Sequence, residues 1–316
     1  MSLLEKMYKN TLFVRHDDDG TLFYFSALDF PGLKKEPYSF TTKAGHRLNG
    51  YFYSYDNAIE GRIVVFDHGM GAGHRAYLKE IEMLARHGYL VYSYDHTGCT
   101  ESEGESIMGF AGSLADLDSC IAAIKSDFPE KDISVVGHSW GGFSTLNIAA
   151  YHPDIKHVVA MAGFVSVKSM QSQVIPFFLR PFIGCLFKLE EKTNPDYVFA
   201  SAIDALSDTK AKVLVIHSSD DKTVSFKRHF ERLRRALLGK SNVRFLELSG
   251  KDHNPNYTHD AVKYKNDFFK VYSAKRKAGE LNSDEAKAEF KASYDWERMT
   301  AQDESVWSEI FSTLDS

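Results

Sequence analysis

The sequence predicts an α/β fold: a mostly parallel sheet with helices on both faces and a small insertion at one edge. Three features of the 316-residue chain carry that expectation. Short apolar runs alternate with segments of helical period through the middle of the chain, the pattern of parallel strands buried on both sides. The run Ile133-Ser134-Val135-Val136 leads directly into Gly137-His138-Ser139-Trp140-Gly141, and a helix-compatible stretch follows over 143–150. Finally, roughly fifty residues between Gly163 and Lys212 break the rhythm, which marks an insertion.

In chain order, residues 39–55 read as two antiparallel strands turning near Ala44-Gly45. Residues 63–66 form a buried-type strand, and Leu78, Ile81, Leu84 and Ala85 make the inner face of a helix. A strand over 89–94 precedes a helix carrying Phe110, Leu114, Leu117, Ile121 and Ile124. Strands over 133–136 and 157–161 flank the serine motif and its helix. After the insertion come a strand over 213–216, a helix with Phe226, Phe230, Leu233 and Leu237, and a strand over 243–248.

This organisation suits one domain. An N-terminal arm (1–40) precedes a core made of 41–163 and 207–272, interrupted by a cap over 164–206. A helical extension, 273–316, completes it, with 303–314 packing on the core. In that extension Trp307, Ile310, Phe311 and Leu314 recur at the spacing of one helix face, as do Tyr257, Ala261, Tyr264 and Phe268 before it. The charged stretch 275–292 reads as a solvated helix capped by Ser283 and as dispensable.

Composition excludes several classes. With 43% hydrophobic and 26% charged residues and a net charge of −5, the chain is ordinary for a globular protein and offers no basic stripe to nucleic acid. No run of about 18 apolar residues could span a membrane. The N-terminus lacks the apolar core of a secretory signal, and Cys99, Cys120 and Cys185 show neither metal spacing nor a paired framework. A cytoplasmic location is the expectation.

The chemistry resides in the loops after the strands. A serine on a tight strand-to-helix turn needs small neighbours two residues to either side, and Gly137 and Gly141 supply them around Ser139. Serine needs a base, and the base needs an orienting acid. The strand over 213–216 runs into Asp220-Asp221, and the strand over 243–248 runs into Asp252-His253. His253 is the expected base. Asp221 is the expected acid, because it lies one residue further along the loop than Asp220, which is left to shape that loop. Backbone N–H groups of Trp140 and Met70 are the expected oxyanion donors, the latter in Asp67-His68-Gly69-Met70-Gly71-Ala72-Gly73, where His68 shapes the loop. That loop fits neither common phosphate-binding glycine pattern.

These motifs resemble the α/β-hydrolase superfamily, and within it the monoacylglycerol lipase-like esterases and serine aminopeptidase (S33)-like proteins. The resemblance rests on His68-Gly69-Met70-Gly71, on Gly137-His138-Ser139-Trp140-Gly141-Gly142, and on the Asp221 and His253 loops, over about residues 40–270. Where such proteins often carry D-x-R-G-x-G-x-S, this chain has Asp95-His96-Thr97-Gly98-Cys99-Thr100-Glu101-Ser102. Thr97 and Thr100 replace the arginine and the second glycine.

The expected activity is hydrolysis of a carboxylic ester through an acyl-Ser139 intermediate, with no metal and no organic cofactor implied. A small-peptide aminopeptidase is the enzymatic alternative, with Glu190-Glu191 as the candidate amine anchor unless that pair is a solvated face. A catalytically silent ligand-binding relative is the alternative of another class. Phe177, Phe178, Phe182, Ile183 and Phe187 of the cap are expected to supply the wall of an apolar acyl pocket.

Overall fold

A computed structural model describes residues 3–71 and 73–316; Met1, Ser2 and Ala72, which the N-terminal and glycine-loop readings include, lie outside the described residues. The strands are β1 (Lys34–Thr41), β2 (Arg47–Ser54), β3 (Arg62–Asp67), β4 (Leu90–Tyr94), β5 (Asp132–His138), β6 (His157–Met161), β7 (Lys212–Ser218) and β8 (Val243–Leu248). They form one sheet in the order β1-β2-β4-β3-β5-β6-β7-β8. β2 is antiparallel to both neighbours, and the other pairings are parallel.

The apolar runs are continuous because both faces of these strands are covered. Ile63 and Val65 of β3 join one core cluster, Val64 and Phe66 the other, and β6 and β7 divide their side chains in the same way. The helices are α1 (Leu3–Leu12), α2 (Leu78–His87), α3 (Gly112–Asp127), α4 (Trp140–Asn147), α5 (Val167–Val174), α6 (Ile183–Thr193), α7 (Ala202–Asp208), α8 (Phe230–Ala236), α9 (His259–Ala278), α10 (Asp284–Ala292), α11 (Trp296–Met299) and α12 (Glu304–Leu314). One face is covered by α3, α4 and α8 with the segment 164–206, the other by α2 and α12.

Two stretches differ from their expected roles. The arm contributes α1, whose Tyr8 and Leu12 are buried in the first core cluster. Residues 275–292 are not purely solvated: Ser283 caps α10 by accepting the Ala286 N–H, but Leu281 and Phe290 are buried with Phe268 and Met299 in a small separate cluster. The helical face of α10 is too short to show in composition; it needs the α9 aromatics opposite it. Phe290→Ala is therefore expected to destabilise the fold by roughly 3 kcal/mol in chemical denaturation. No loss of stability would make α10 the appendage its charge suggests.

Candidate active site

Ser139 sits between β5 and α4 with φ 57° and ψ −110°, a strained conformation that few non-glycine residues hold. The turn is tight on both sides. A Cβ at Gly137 would fall 2.3 Å from Thr145 Oγ1, and one at Gly141 would fall 2.1 Å from the Asp67 carbonyl oxygen. Trp140 opens α4, so its amide is one of the first-turn N–H groups without an intrahelical partner. The His68–Met70 loop abuts the elbow: a Cβ at Gly69 would lie 3.3 Å from both Ser139 Cβ and the His138 carbonyl oxygen.

The loops after β7 and β8 bring the expected acid and base to this serine. His253 Nε2 lies 2.8 Å from Ser139 Oγ, and His253 Nδ1 lies 2.8 Å from Asp221 Oδ2. An ionised carboxylate only accepts, so the His253 proton resides on Nδ1 and the Nε2 lone pair faces the serine hydroxyl. Asp221 is itself held: Oδ1 accepts the Thr223 and Val224 amides at 2.8 and 2.9 Å, and Oδ2 is 3.1 Å from His217 Nε2. Burial opposes its charge, but the bonds from His217 and His253 outweigh burial and hold the carboxyl well below the usual range. Asp220 turns away. It accepts the Ser218 hydroxyl at 2.5 Å and the Gly250 amide at 2.8 Å, so it braces the two loops against each other.

Sequence reasoning passed over His138 and Tyr77. His138 Nε2 is 2.7 Å from the His253 carbonyl oxygen, and its Nδ1 is 2.9 Å from the Tyr77 hydroxyl. Burial, with the nearby His253 ring, lowers the His138 pKa to about 3, so the ring is neutral. Nε2–H then donates to the His253 carbonyl, and Nδ1 accepts from Tyr77. The variable position of G-x-S-x-G thus ties the nucleophile's strand to the backbone of the base.

Beneath the elbow lies a buried charged cluster. His96 has Nε2 3.0 Å from Asp67 Oδ1, an ionic contact out of line for a hydrogen bond, and Nδ1 3.2 Å from Asp116 Oδ2. Thr97 bonds Asp116 through its amide and its hydroxyl at 2.8 and 2.7 Å. Burial works against charge on His96, yet Asp67 and Asp116 more than offset it and push the pKa up to about 9. The sign follows from linkage. A raised folded-state pKa gives stability that is complete below about 6.5, the unfolded value, and is lost as pH rises through about 9. The stability difference between wild type and His96→Gln, from thermal unfolding, should therefore shrink between pH 6.5 and 9.5; a growing difference would contradict the charged state.

Ser139 opens into a cavity of about 830 Å³. Its apolar wall differs from the expected one. Phe177, Phe178 and Phe182 are 78%, 65% and 54% exposed and do not line it, and Phe187 packs against Phe199 at 5.4 Å. In the 3₁₀ turn at Phe177–Phe182, bounded by Pro176, Leu179 is the side chain that faces the cavity instead. Val174, Ile175 and Pro176 of the insertion join it, and Leu4, Tyr8 and Leu12 of α1 complete the wall. The 4-residue spacing of those three side chains was the available signal.

Glu190 also departs from both readings offered for it. It is buried, and its oxygens accept the Tyr8 hydroxyl at 2.6 Å and the Phe110 and Ala111 amides at 2.9 and 3.4 Å. Burial raises its pKa. It fastens α1 to the insertion, and neither it nor Glu191 lines the cavity.

Known proteins agree with this fold. The family model described as "Serine aminopeptidase, S33" matches residues 60–209. The rat monoglyceride lipase is 32% identical over 93 residues, 29% of this chain and 31% of that protein. A cutinase of Thermobifida fusca is 28% identical over 97 residues, 30% of each chain. The matched segments thus span about a third of the curated relatives' length. Among solved structures, a Pyrococcus furiosus esterase has a TM-score of 0.58 at 17% identity, covering 84% of this chain and 96% of that one. The chain has the α/β-hydrolase fold. In sequence it is similar to monoglyceride lipases over about a third of their length. Among the described residues, no helix is long and apolar enough to cross a membrane.

Proposed function

We propose that this protein is a serine hydrolase of carboxylic esters with an apolar acyl group, acting through an acyl-Ser139 intermediate. The observation that carries the reading is the unbroken Ser139–His253–Asp221 hydrogen-bond chain, with 2.8 Å at both links, opening into an apolar-walled cavity. His253 takes the hydroxyl proton as Ser139 attacks the carbonyl carbon, and Asp221 stabilises the imidazolium that forms. The developing oxyanion is received by the Trp140 and Met70 amides. His253 then gives its proton to the leaving oxygen, and a water repeats the sequence on the acyl-enzyme.

An ester is favoured over a peptide with a free amino end, because neither Glu190 nor Glu191 lines the cavity and Glu190 is committed to Tyr8 and the 110–111 backbone. Covalent labelling by a fluorophosphonate, lost in Ser139→Ala, tests the nucleophile. A series of p-nitrophenyl esters beside aminoacyl-anilides tests the substrate class; faster anilide cleavage would overturn it.

Two further outcomes follow. Met70→Pro removes an oxyanion donor and is expected to lower kcat by about 10² to 10³. Met70→Ala keeps the amide and should act mainly on KM, since the Met70 side chain lines the cavity; equal loss of kcat in both variants would assign the side chain instead. Acyl preference should respond to Leu179→Trp, shifting towards acetate, but not to Phe178→Ala. A profile flat from acetate to octanoate in wild type would remove the cavity as the acyl site.

A further inference from the structure

The cavity lining divides by chemistry. Beside the apolar wall stands a polar group that clusters on the His253 loop and α9: Asp252, Asn254, Lys265 and Asn266. Lys265 Nζ donates to Asn254 Oδ1 at 2.9 Å and lies 4.7 Å from the centroid of the Tyr257 ring. An ammonium has three protons, so this arrangement leaves donor capacity over. Among the described residues no carboxylate lies within 4.0 Å of it to form an ion pair.

The acid beside it in the lining, Asp252, is already engaged. Asp252 Oδ2 accepts from Asn266 Nδ2 at 3.2 Å, and its Oδ1 faces the Lys222 amide at 3.4 Å. Glu80, whose charge Lys265 feels from further away, accepts from Asn256 Nδ2 at 3.0 Å through Oε1, its Oε2 is buried without a hydrogen-bond partner among the described residues, and burial raises its pKa. Desolvation lowers the Lys265 pKa to about 8, with Glu80 acting in the opposite sense, which leaves the group protonated at pH 7.

The chemistry of the reaction says which half of a substrate meets this cation. In the acylation step His253 Nε2 hands its proton to the leaving oxygen, so the alcohol half must lie on the His253 side. Asn254 follows His253 directly in sequence, and Lys265 is bonded to Asn254. The acyl half then falls to the apolar wall. Resting on the ester-hydrolase reading, we infer that Lys265 with Asn254 forms an anion subsite for the leaving group, and that the substrates are esters whose alcohol carries a phosphate or a carboxylate.

Matched ester pairs test this. The octanoyl monoester of ethylene glycol is compared with the octanoyl ester of 2-hydroxyethyl phosphate, and methyl 4-octanoyloxybenzoate with 4-octanoyloxybenzoate. Wild type should favour one or both charged members by at least tenfold in kcat/KM, and the favoured pair tells phosphate from carboxylate. That charged-to-neutral ratio should fall at least tenfold in Lys265→Met and be largely restored in Lys265→Arg. Hydrolysis of the neutral esters without discrimination in wild type overturns the subsite while leaving the ester-hydrolase reading standing. If no member of either pair is hydrolysed, that reading fails, and the subsite is decided by calorimetric titration of 2-hydroxyethyl phosphate into Ser139→Ala protein. Saturable binding that Lys265→Met abolishes supports the subsite; no binding overturns it.

Discussion

Ser139→Ala and His253→Ala are each expected to lower ester turnover by about 10⁶, with little change in the unfolding midpoint. The two losses should be nearly equal and should not add in the double variant. A serine without its base and a base without its serine leave the same residual machinery, the oxyanion donors and the binding cavity. Asp221→Asn tests the third member differently. An amide at that position can turn its NH₂ towards His253 Nδ1, which favours the wrong tautomer and directs a proton at Ser139. About 10⁴ in kcat is the expected loss. Asp220→Asn should retain most activity, because Asp220 bonds to Ser218 and the 250–252 backbone and not to His253. A larger loss from Asp220→Asn than from Asp221→Asn would reverse the assignment of the acid. Full activity in Ser139→Ala would remove the serine mechanism.

Much of this arrangement was legible because strands and their terminal loops obey local rules. Continuous apolar runs identified the parallel strands, and loop position after each strand selected Asp221 and His253 from many aspartates and thirteen histidines. The structure brings these two to Ser139 at hydrogen-bonding distance. What was not legible depends on contacts between segments far apart in sequence. Composition makes Glu190 a surface residue; only the Tyr8 hydroxyl, 182 positions away, and the 110–111 amides make its burial tolerable. The insertion's phenylalanines look like a pocket lining because they are its largest apolar side chains. Which of them face the cavity depends on how the 3₁₀ turn and α6 lie on the rest of the chain, which a composition count does not resolve. Lys265 was hidden among the charges of a long helix, and its meaning comes from the loop it meets.

Deleting residues 301–316 is expected to give insoluble or unfolded protein. α12 covers one face of the sheet, and its Val306, Trp307, Ile310 and Leu314 are each no more than 1% exposed. Burying four such side chains contributes roughly 6–12 kcal/mol as an upper bound, comparable with the whole stability of a typical domain, about 5–15 kcal/mol. The helix also reaches the candidate site. Lys251, two residues before His253, is 2% exposed and donates to Asp303 Oδ2 and to the Tyr257 carbonyl, each at 2.5 Å. Asp303 in turn caps α12. Truncation would leave a buried ammonium without its counter-charge, a loss of about 3–5 kcal/mol for a broken buried pair. Asp303→Asn separates the two effects: α12 stays packed, while the His253 loop loses its ionic anchor. That variant should remain folded, with a lowered unfolding midpoint and a reduced kcat. Deleting α10 with its flanking residues should be milder than losing α12, because it removes Leu281 and Phe290 from a small cluster separate from the two that cover the sheet. A soluble, fully active chain ending at Met299 would show that neither the apolar face of α12 nor the Lys251–Asp303 pair supports the fold.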